Sequence, residues 1–189
     1  MNDLGLILAN QQKTAEAAVF FNRVVEINPG YVETYLNWGF MEQCEGKMDQ
    51  AMAHYHTAAD LHPNGPAAHF YQAVTLAAEH HRDESISYFR NAIWMNPKFW
   101  QARYLLGREL AGEGKIEEAQ AQFSEVVRIR PDFARAHLND GVALAKLGKL
   151  DEALKEFQIT LQLNPTNAVA QKNLEAIRMN IQALRVRSQ

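Results

Sequence analysis

Apolar residues recur along this chain at spacings of three and four, the pattern of helices that turn one side inward. The pattern is regularly interrupted. It comes in segments of about 13 residues, two to each stretch, separated by a glycine (Gly46, Gly114 or Gly148) and closed by a proline. The segment VETYLNWGF, residues 32–40, adds a further feature. Leu36 and Phe40 lie at i, i+4 on one side of the predicted helix while Tyr35 and Gly39 lie on another, so one helix carries two apolar faces.

The closing prolines are Pro29, Pro63, Pro97, Pro131 and Pro165, each 34 residues after the last, and only Pro66 stands outside this register. Other positions keep the same spacing. Glycine recurs 24 residues before the proline at Gly5, Gly39, Gly107 and Gly141, with Ala73 in the third copy. A small residue recurs 12 before it (Ala17, Ala51, Ser85, Ala119, Ala153) and an aromatic 8 before it (Phe21, Tyr55, Phe89, Phe123, Phe157). Asp49, Asp83, Glu117 and Asp151 open the second segment, where a helix N-terminus favours an anion. The proline ends that segment by pushing the residue before it out of the helical region. Small residues on both segments allow close backbone approach, and the aromatic fills the space beside the contact. Each unit thus reads as a helical hairpin that must stack on its neighbours to bury both faces.

Composition narrows the class without naming a function. Apolar residues make up 47% of the 189 and charged ones 22%, which marks a folded chain. A formal charge of −3 predicts no general attraction to nucleic acid. Cys44 is the single cysteine, so no internal disulfide framework exists. No run approaches the roughly 18 apolar residues of a membrane helix, so no direct membrane insertion is expected. The opening MNDLGLILANQQK lacks the basic lead and long apolar core of a signal peptide. A cytoplasmic location is the expectation, with the periplasm or a membrane-anchored parent protein as alternatives.

The spacing resembles the tetratricopeptide repeat (TPR) family, whose 34-residue motif runs W-x2-L-G-x2-Y, then A-x3-F, then P. The resemblance spans the chain. It implies an all-α, right-handed α-solenoid of stacked antiparallel helix pairs forming a single domain over 1–189, with repeats at 1–31, 32–65, 66–99, 100–133 and 134–167. Residues 168–187 read as a capping helix, because Glu175 and Arg178 stand where a following hairpin would need small and apolar residues. The first repeat begins at the motif's fourth position, as expected of a fragment trimmed from a longer chain. The third is irregular, with His69 and Gln72 at usually large apolar sites and His80-His81 in place of the loop glycine.

Little in the chain reads as catalytic. There is no G-x-S-x-G, H-E-x-x-H or phosphate-cradling glycine loop, so no catalytic residue and no cofactor is predicted. His54 and His56 are i, i+2 on one helix and point to different sides, and His80-His81 lies in a turn where histidine tolerates left-handed backbone. No metal site is expected, and Cys44 reads as structural.

In TPR proteins the first helix of each pair lines a concave groove, chiefly at motif positions 2, 5, 6 and 9. The resemblance therefore implies partner-binding roles for Leu36, Asn37 and Phe40, then Phe70, Tyr71 and Val74, then Tyr104 and Arg108 beside Gln101 and Leu105, then Arg135, Leu138 and Asn139. The groove would be apolar and aromatic in its middle and basic and amide-bearing toward the C-terminal end. Exposed apolar surface of this kind suits an extended segment or amphipathic helix of a protein partner. The competing reading is that several of these side chains pack on the neighbouring repeat.

The same positions exclude some ligands. TPR cochaperones that clamp the acidic C-termini of heat-shock chaperones use Lys and Asn, then Asn, then Lys and Arg. Here one window reads Asn2, Leu6, Asn37, Ala67, Tyr71 and another Phe70, Val74, Leu105, Arg135, Asn139, and neither is a carboxylate clamp. The asparagine ladder of the O-linked N-acetylglucosamine transferase superhelix is likewise broken at Tyr71 and Leu105. A second candidate surface is WMNPKFW, where Trp94, Phe99 and Trp100 would form an aromatic rim patch. Trp94 takes the position of Glu26, Asp60, Arg128 and Gln162, so exposure is expected. Charge is also uneven: residues 168–189 balance at +3 through Lys172, Arg178, Arg185 and Arg187 against Glu175, and the remainder at −6. Head-to-tail self-association is one use of that asymmetry, and a solvated cap is the other. Function reads as a protein–protein interaction scaffold and not an enzyme. The alternative is a non-catalytic module selecting substrates or partners for a larger protein such as a glycosyltransferase.

Overall fold

A computed structural model describes residues 2–11 and 13–187, and every regular element among them is a helix. The order is α1 (Asn2–Asn10), α2 (Thr14–Ile27), α3 (Val32–Cys44), α4 (Met48–Leu61), α5 (Pro66–Ala78), α6 (Arg82–Met95), α7 (Trp100–Gly112), α8 (Ile116–Ile129), α9 (Ala134–Lys146), α10 (Leu150–Leu163) and α11 (Ala168–Arg187). The chain divides within α7 into two compact units, one ending at Glu109 and the other beginning at Leu110. In the first, α1–α2, α3–α4 and α5–α6 pack as pairs, with α2 against α3 and α4 against α5. In the second, α8 packs on α9, α9 on α10 and α10 on α11. This succession of paired helices is that of an α-solenoid.

Two punctuation devices repeat at the 34-residue spacing. The turns after α3, α5, α7 and α9 are helix C-terminal motifs in which one left-handed residue lets the next N–H reach back five residues. Lys47, His81, Lys115 and Lys149 donate to the carbonyls of Glu42, Leu76, Leu110 and Leu144 at 2.8–2.9 Å. The left-handed residues before them are Gly46, Gly114 and Gly148 at φ +76 to +80°, and His80 at φ +65°. Between pairs, Tyr31, Gly65, Phe99, Phe133 and Asn167 donate to the carbonyl three residues back, closing a turn around each register proline. Pro66 has a different task, occupying the first turn of α5 where a missing N–H costs nothing.

The core of each pair is the small–aromatic combination. Ala17, Ala51, Ser85, Ala119 and Ala153 are fully buried, and Phe21, Tyr55, Phe89, Phe123 and Phe157 nearly so. Burying each ring stabilises the fold by about 2 kcal/mol. In the second copy the fit uses glycine on the facing helix, where a Cβ at Gly39 would sit 2.7 Å from Tyr55 Cε1 and 2.9 Å from the Ala51 carbonyl oxygen; the third copy holds Ala73 there.

Candidate functional site

In the unit ending at Glu109 the candidate residues lie on α3, α5 and α7, the first helices of successive pairs. Asn37 and Gln101 are 64 residues apart, yet Gln101 Nε2 donates to Asn37 Oδ1 at 2.7 Å, and each residue is only 4% exposed. Beside them Phe40 meets the rings of Trp100 and Tyr104 edge-on, with centroids 4.8 and 5.6 Å away. Trp100 also packs against the cluster of Leu6, Leu8, Ala17, Phe21 and Met41. The first turns of α7 therefore cover the face of α3.

This corrects the expectation of an open apolar groove. Leu36, Asn37, Phe40, Phe70, Val74 and Tyr104 are all buried. For Asn37, Phe40 and Tyr104 the cause is reach: large side chains on helices two pairs apart meet and expel water. Phe70 is buried for another reason, being enclosed by the rings of Tyr55, Phe89 and Phe99 at 4.9–5.9 Å, so it belongs to the packing core. Tyr71 stays half-exposed with its ring edge-on to His56 at 5.3 Å, and Arg108 is exposed.

The three aromatics of WMNPKFW do not form one patch. Trp94 is 83% exposed, while Phe99 is buried against Phe70 and Trp100 is turned toward Phe40. The turn ties Phe99 inward through its N–H to the Asn96 carbonyl, and α7 then carries Trp100 to α3.

In the unit beginning at Leu110, α9 presents an exposed Arg135 and half-buried Leu138 and Asn139, with Leu138 resting on the cluster of Leu144, Ala153, Phe157, Ala170, Leu174 and Ile177. The same helix carries a polar network that the sequence reading passed over. His137, 3% exposed, has Glu156 Oε2 at 2.6 Å from Nδ1 and the Pro131 carbonyl oxygen at 3.0 Å from Nε2. Facing two acceptors, the ring is placed to donate from both nitrogens, an arrangement that favours its protonated form. Burial lowers its pKa, but its hydrogen bonds to Glu156 and Pro131 and the charges of Glu156 and Asp140 outweigh this and raise it. Buried Asp140 accepts from Gln120 Nε2 at 3.0 Å, and desolvation, countered by that bond and reinforced by Glu156, pushes its carboxyl up to about 6.

A second buried acid lies in the first unit. Glu42 occupies the register position of Leu8, Leu76, Leu110 and Leu144 and is only 7% exposed. Desolvation raises its pKa to about 7 despite the charge of Lys47 and a hydrogen bond from Trp38. His54 Nε2 stands 3.5 Å from Glu42 Oε2, its ring stacks on Trp38 at 4.3 Å, and burial lowers its pKa. The signal for both networks was present in the register. His137, Asp140 and Glu42 all replace residues that the motif keeps large and apolar. Among the described residues no group of three His, Cys, Asp or Glu side chains gathers as a metal site. None of the helices is long and apolar enough to cross a membrane.

Comparison with known proteins gives one consistent result. Sequence profiles described as tetratricopeptide repeat match residues 104–168 and 1–31. No curated protein matches the sequence. Among solved structures the chain is similar to YrrB, titled a TPR protein with an unusual peptide-binding site, at 20% identity and TM-score 0.54 over 90% of this chain and 88% of that one. It is similar to the first TPR of Spaghetti (RPAP3) bound to the HSP90 peptide SRMEEVD, at 20% identity and TM-score 0.58 over 62% and 93%. MamA is a third, at 23% identity and TM-score 0.53 over 84% and 93%.

Proposed function

Since the chain belongs to the tetratricopeptide repeat family, we propose that it is a non-catalytic protein-interaction scaffold that receives a segment of a partner protein on the face built by its first helices. The observation that carries this reading is the gathering of α3 and α7 side chains in the first unit. Leu36, Asn37, Phe40, Gln101 and Tyr104 come from different pairs, and the small–aromatic fit within each pair does not use them. In this reading Leu36, Asn37, Phe40, Val74 and Tyr104 form the inner contact layer, with Tyr71 and Arg108 at its accessible edge. Arg135, Leu138 and Asn139 on α9 are the corresponding contacts of the second unit. Mechanistically the scaffold works by preorganisation, presenting side chains already fixed by helix packing so that little ordering entropy is lost on binding.

The recognition named in the RPAP3 structure is not extended to this chain. Asn37 is engaged by Gln101, and none of the windows across successive repeats supplies the Lys and Arg set of a carboxylate clamp. Self-association is a subordinate use, resting on exposed Val169 and Met179 beside Lys172 and Arg178 on α11; the side chains of Arg185 and Arg187 lie outside the described residues.

The test is site-specific photo-cross-linking in native extract. A photoreactive residue replaces Tyr71, Arg108 or Asn139, and controls replace Asn91, Ser124 or Gln158 on second helices. The proposal expects a common partner captured from the first set and not the second. Equal capture from both sets, or capture from the second alone, sinks it.

A further inference from the structure

We propose that the start of α7 is an autoinhibitory element, and that Trp100 and Gln101 act as a built-in occupant of the α3 face which a partner must displace. This rests on the reading of that face as the binding surface. Three observations in the first unit carry it. The Gln101-to-Asn37 bond is a buried amide–amide contact across 64 residues, made between two side chains that the hairpin fold does not require to meet. A side-chain amide of this kind offers the same donor and acceptor as a peptide group. The rings of Trp100 and Tyr104 both present edges to Phe40, which is 4% exposed as a result. Trp100 continues onto Leu6, Leu8 and Met41, so the covering spans more than one pair.

The contact is also built to be exchanged. Its polar part includes a neutral amide–amide hydrogen bond, which a competing amide replaces one for one. Its aromatic part is a cluster of rings meeting around Phe40. By contrast, α7 is fastened elsewhere: Arg82 Nε donates to Glu109 Oε2 at 3.0 Å, at the far end of the α7 portion in this unit. An opening that swings the Trp100 and Gln101 side chains off α3 leaves that anchor, and the buried Phe99 and Ala102, in place. The chemistry of the covering residues also states what a displacing ligand must carry. It is an extended peptide segment with a large aromatic side chain next to a free amide, uncharged where it meets Asn37. Tyr71 and Arg108, accessible in the closed form, are the places where such a segment makes its first contact.

A phage-displayed dodecapeptide library tests this. It is panned against the full chain and against the opened variant Trp100→Ala/Gln101→Ala, with Gln101→Ala alone as the milder opening should the double variant lose helicity. Peptides selected on the opened form are then measured as synthetic peptides on both. Closure predicts that they bind the native chain at least about tenfold more weakly, because only the open fraction is competent. It also predicts that adding Asn37→Ala to the opened form abolishes binding. Equal affinity for native and opened chains, with loss on Asn37→Ala, overturns autoinhibition while leaving the binding face intact. Binding indifferent to both Asn37→Ala and Phe40→Ala, or no selected peptide on either form, overturns the face and the autoinhibition together.

Discussion

Replacing Glu42 with leucine should stabilise the unit that ends at Glu109, and by an amount that grows with pH. Burial penalises the charged form of this carboxyl and lifts its folded pKa to about 7 from an ordinary 4.5. The sign follows from proton binding. Between those values the folded chain keeps a proton that the unfolded chain has lost, so the group's stabilising contribution is full below 4.5 and is lost as pH rises through about 7. Linkage puts the cost of the native glutamate at about 0.8 kcal/mol near pH 5 and about 3 kcal/mol near pH 8. Leucine escapes that cost and is the residue this register uses at positions 76, 110 and 144. It gives up the hydrogen bond from Trp38, about 1 kcal/mol. The net gain is therefore about 2 kcal/mol near pH 8 and close to zero near pH 5. His54, whose lowered pKa removes stability as pH falls below 6.5, is present in both chains and largely cancels in the difference. Urea denaturation followed by helical circular dichroism at the two pH values reads the quantity. A gain of equal size at both would refute the argument that Glu42 is a desolvated carboxyl.

Three further substitutions probe other parts of the account. Glu156→Gln leaves the His137 imidazolium without its counter-charge and should destabilise the unit beginning at Leu110 by about 2–3 kcal/mol near pH 6. Because a raised histidine pKa gives stability present below 6.5 and lost as pH climbs through the folded value, that penalty should shrink toward pH 8 in denaturation curves; a constant penalty would mean a neutral ring. Gly141→Ala places a Cβ 2.9 Å from Phe157 Cε1 and should cost about 1–3 kcal/mol in the same assay, whereas no loss would show that the ring can yield. His80→Gly removes a side chain from left-handed backbone and should raise stability by about 1 kcal/mol, seen as a higher melting temperature; an unchanged or lower one would show that His80 is not strained.

What the sequence revealed follows from how local each contact is. Gly39, Ala51 and Tyr55 meet within one hairpin, so a single 34-residue stretch holds all the information, and repetition makes it unmistakable. The left-handed turn was equally plain, down to histidine at His80 in the place of Gly46, Gly114 and Gly148. The covering of α3 by α7 was not legible. Leu36 and Phe40 have the same pattern whether they face water or another helix, and the answer depends on how the chain travels across three pairs before returning to Asn37. Phe70 was misplaced because motif position 5 is normally a lining site, whereas here the neighbouring turn delivers Phe99 onto its ring. The buried acids fell between these cases: their register positions marked them as anomalies, but only the geometry showed that Glu156 answers His137 and that Glu42, with His54 Nε2 3.5 Å away, is raised by burial.

The central claim is that the first-helix face receives the ligand, and amide chemical-shift mapping tests it most directly. An isotopically labelled chain is titrated with a synthetic peptide selected on the opened variant. The account predicts the largest shifts in α3, over Val32–Cys44, and in the first turns of α7 around Gln101, with Trp94 unmoved. Shifts concentrated on α4 and α6, or centred on Trp94, would contradict it.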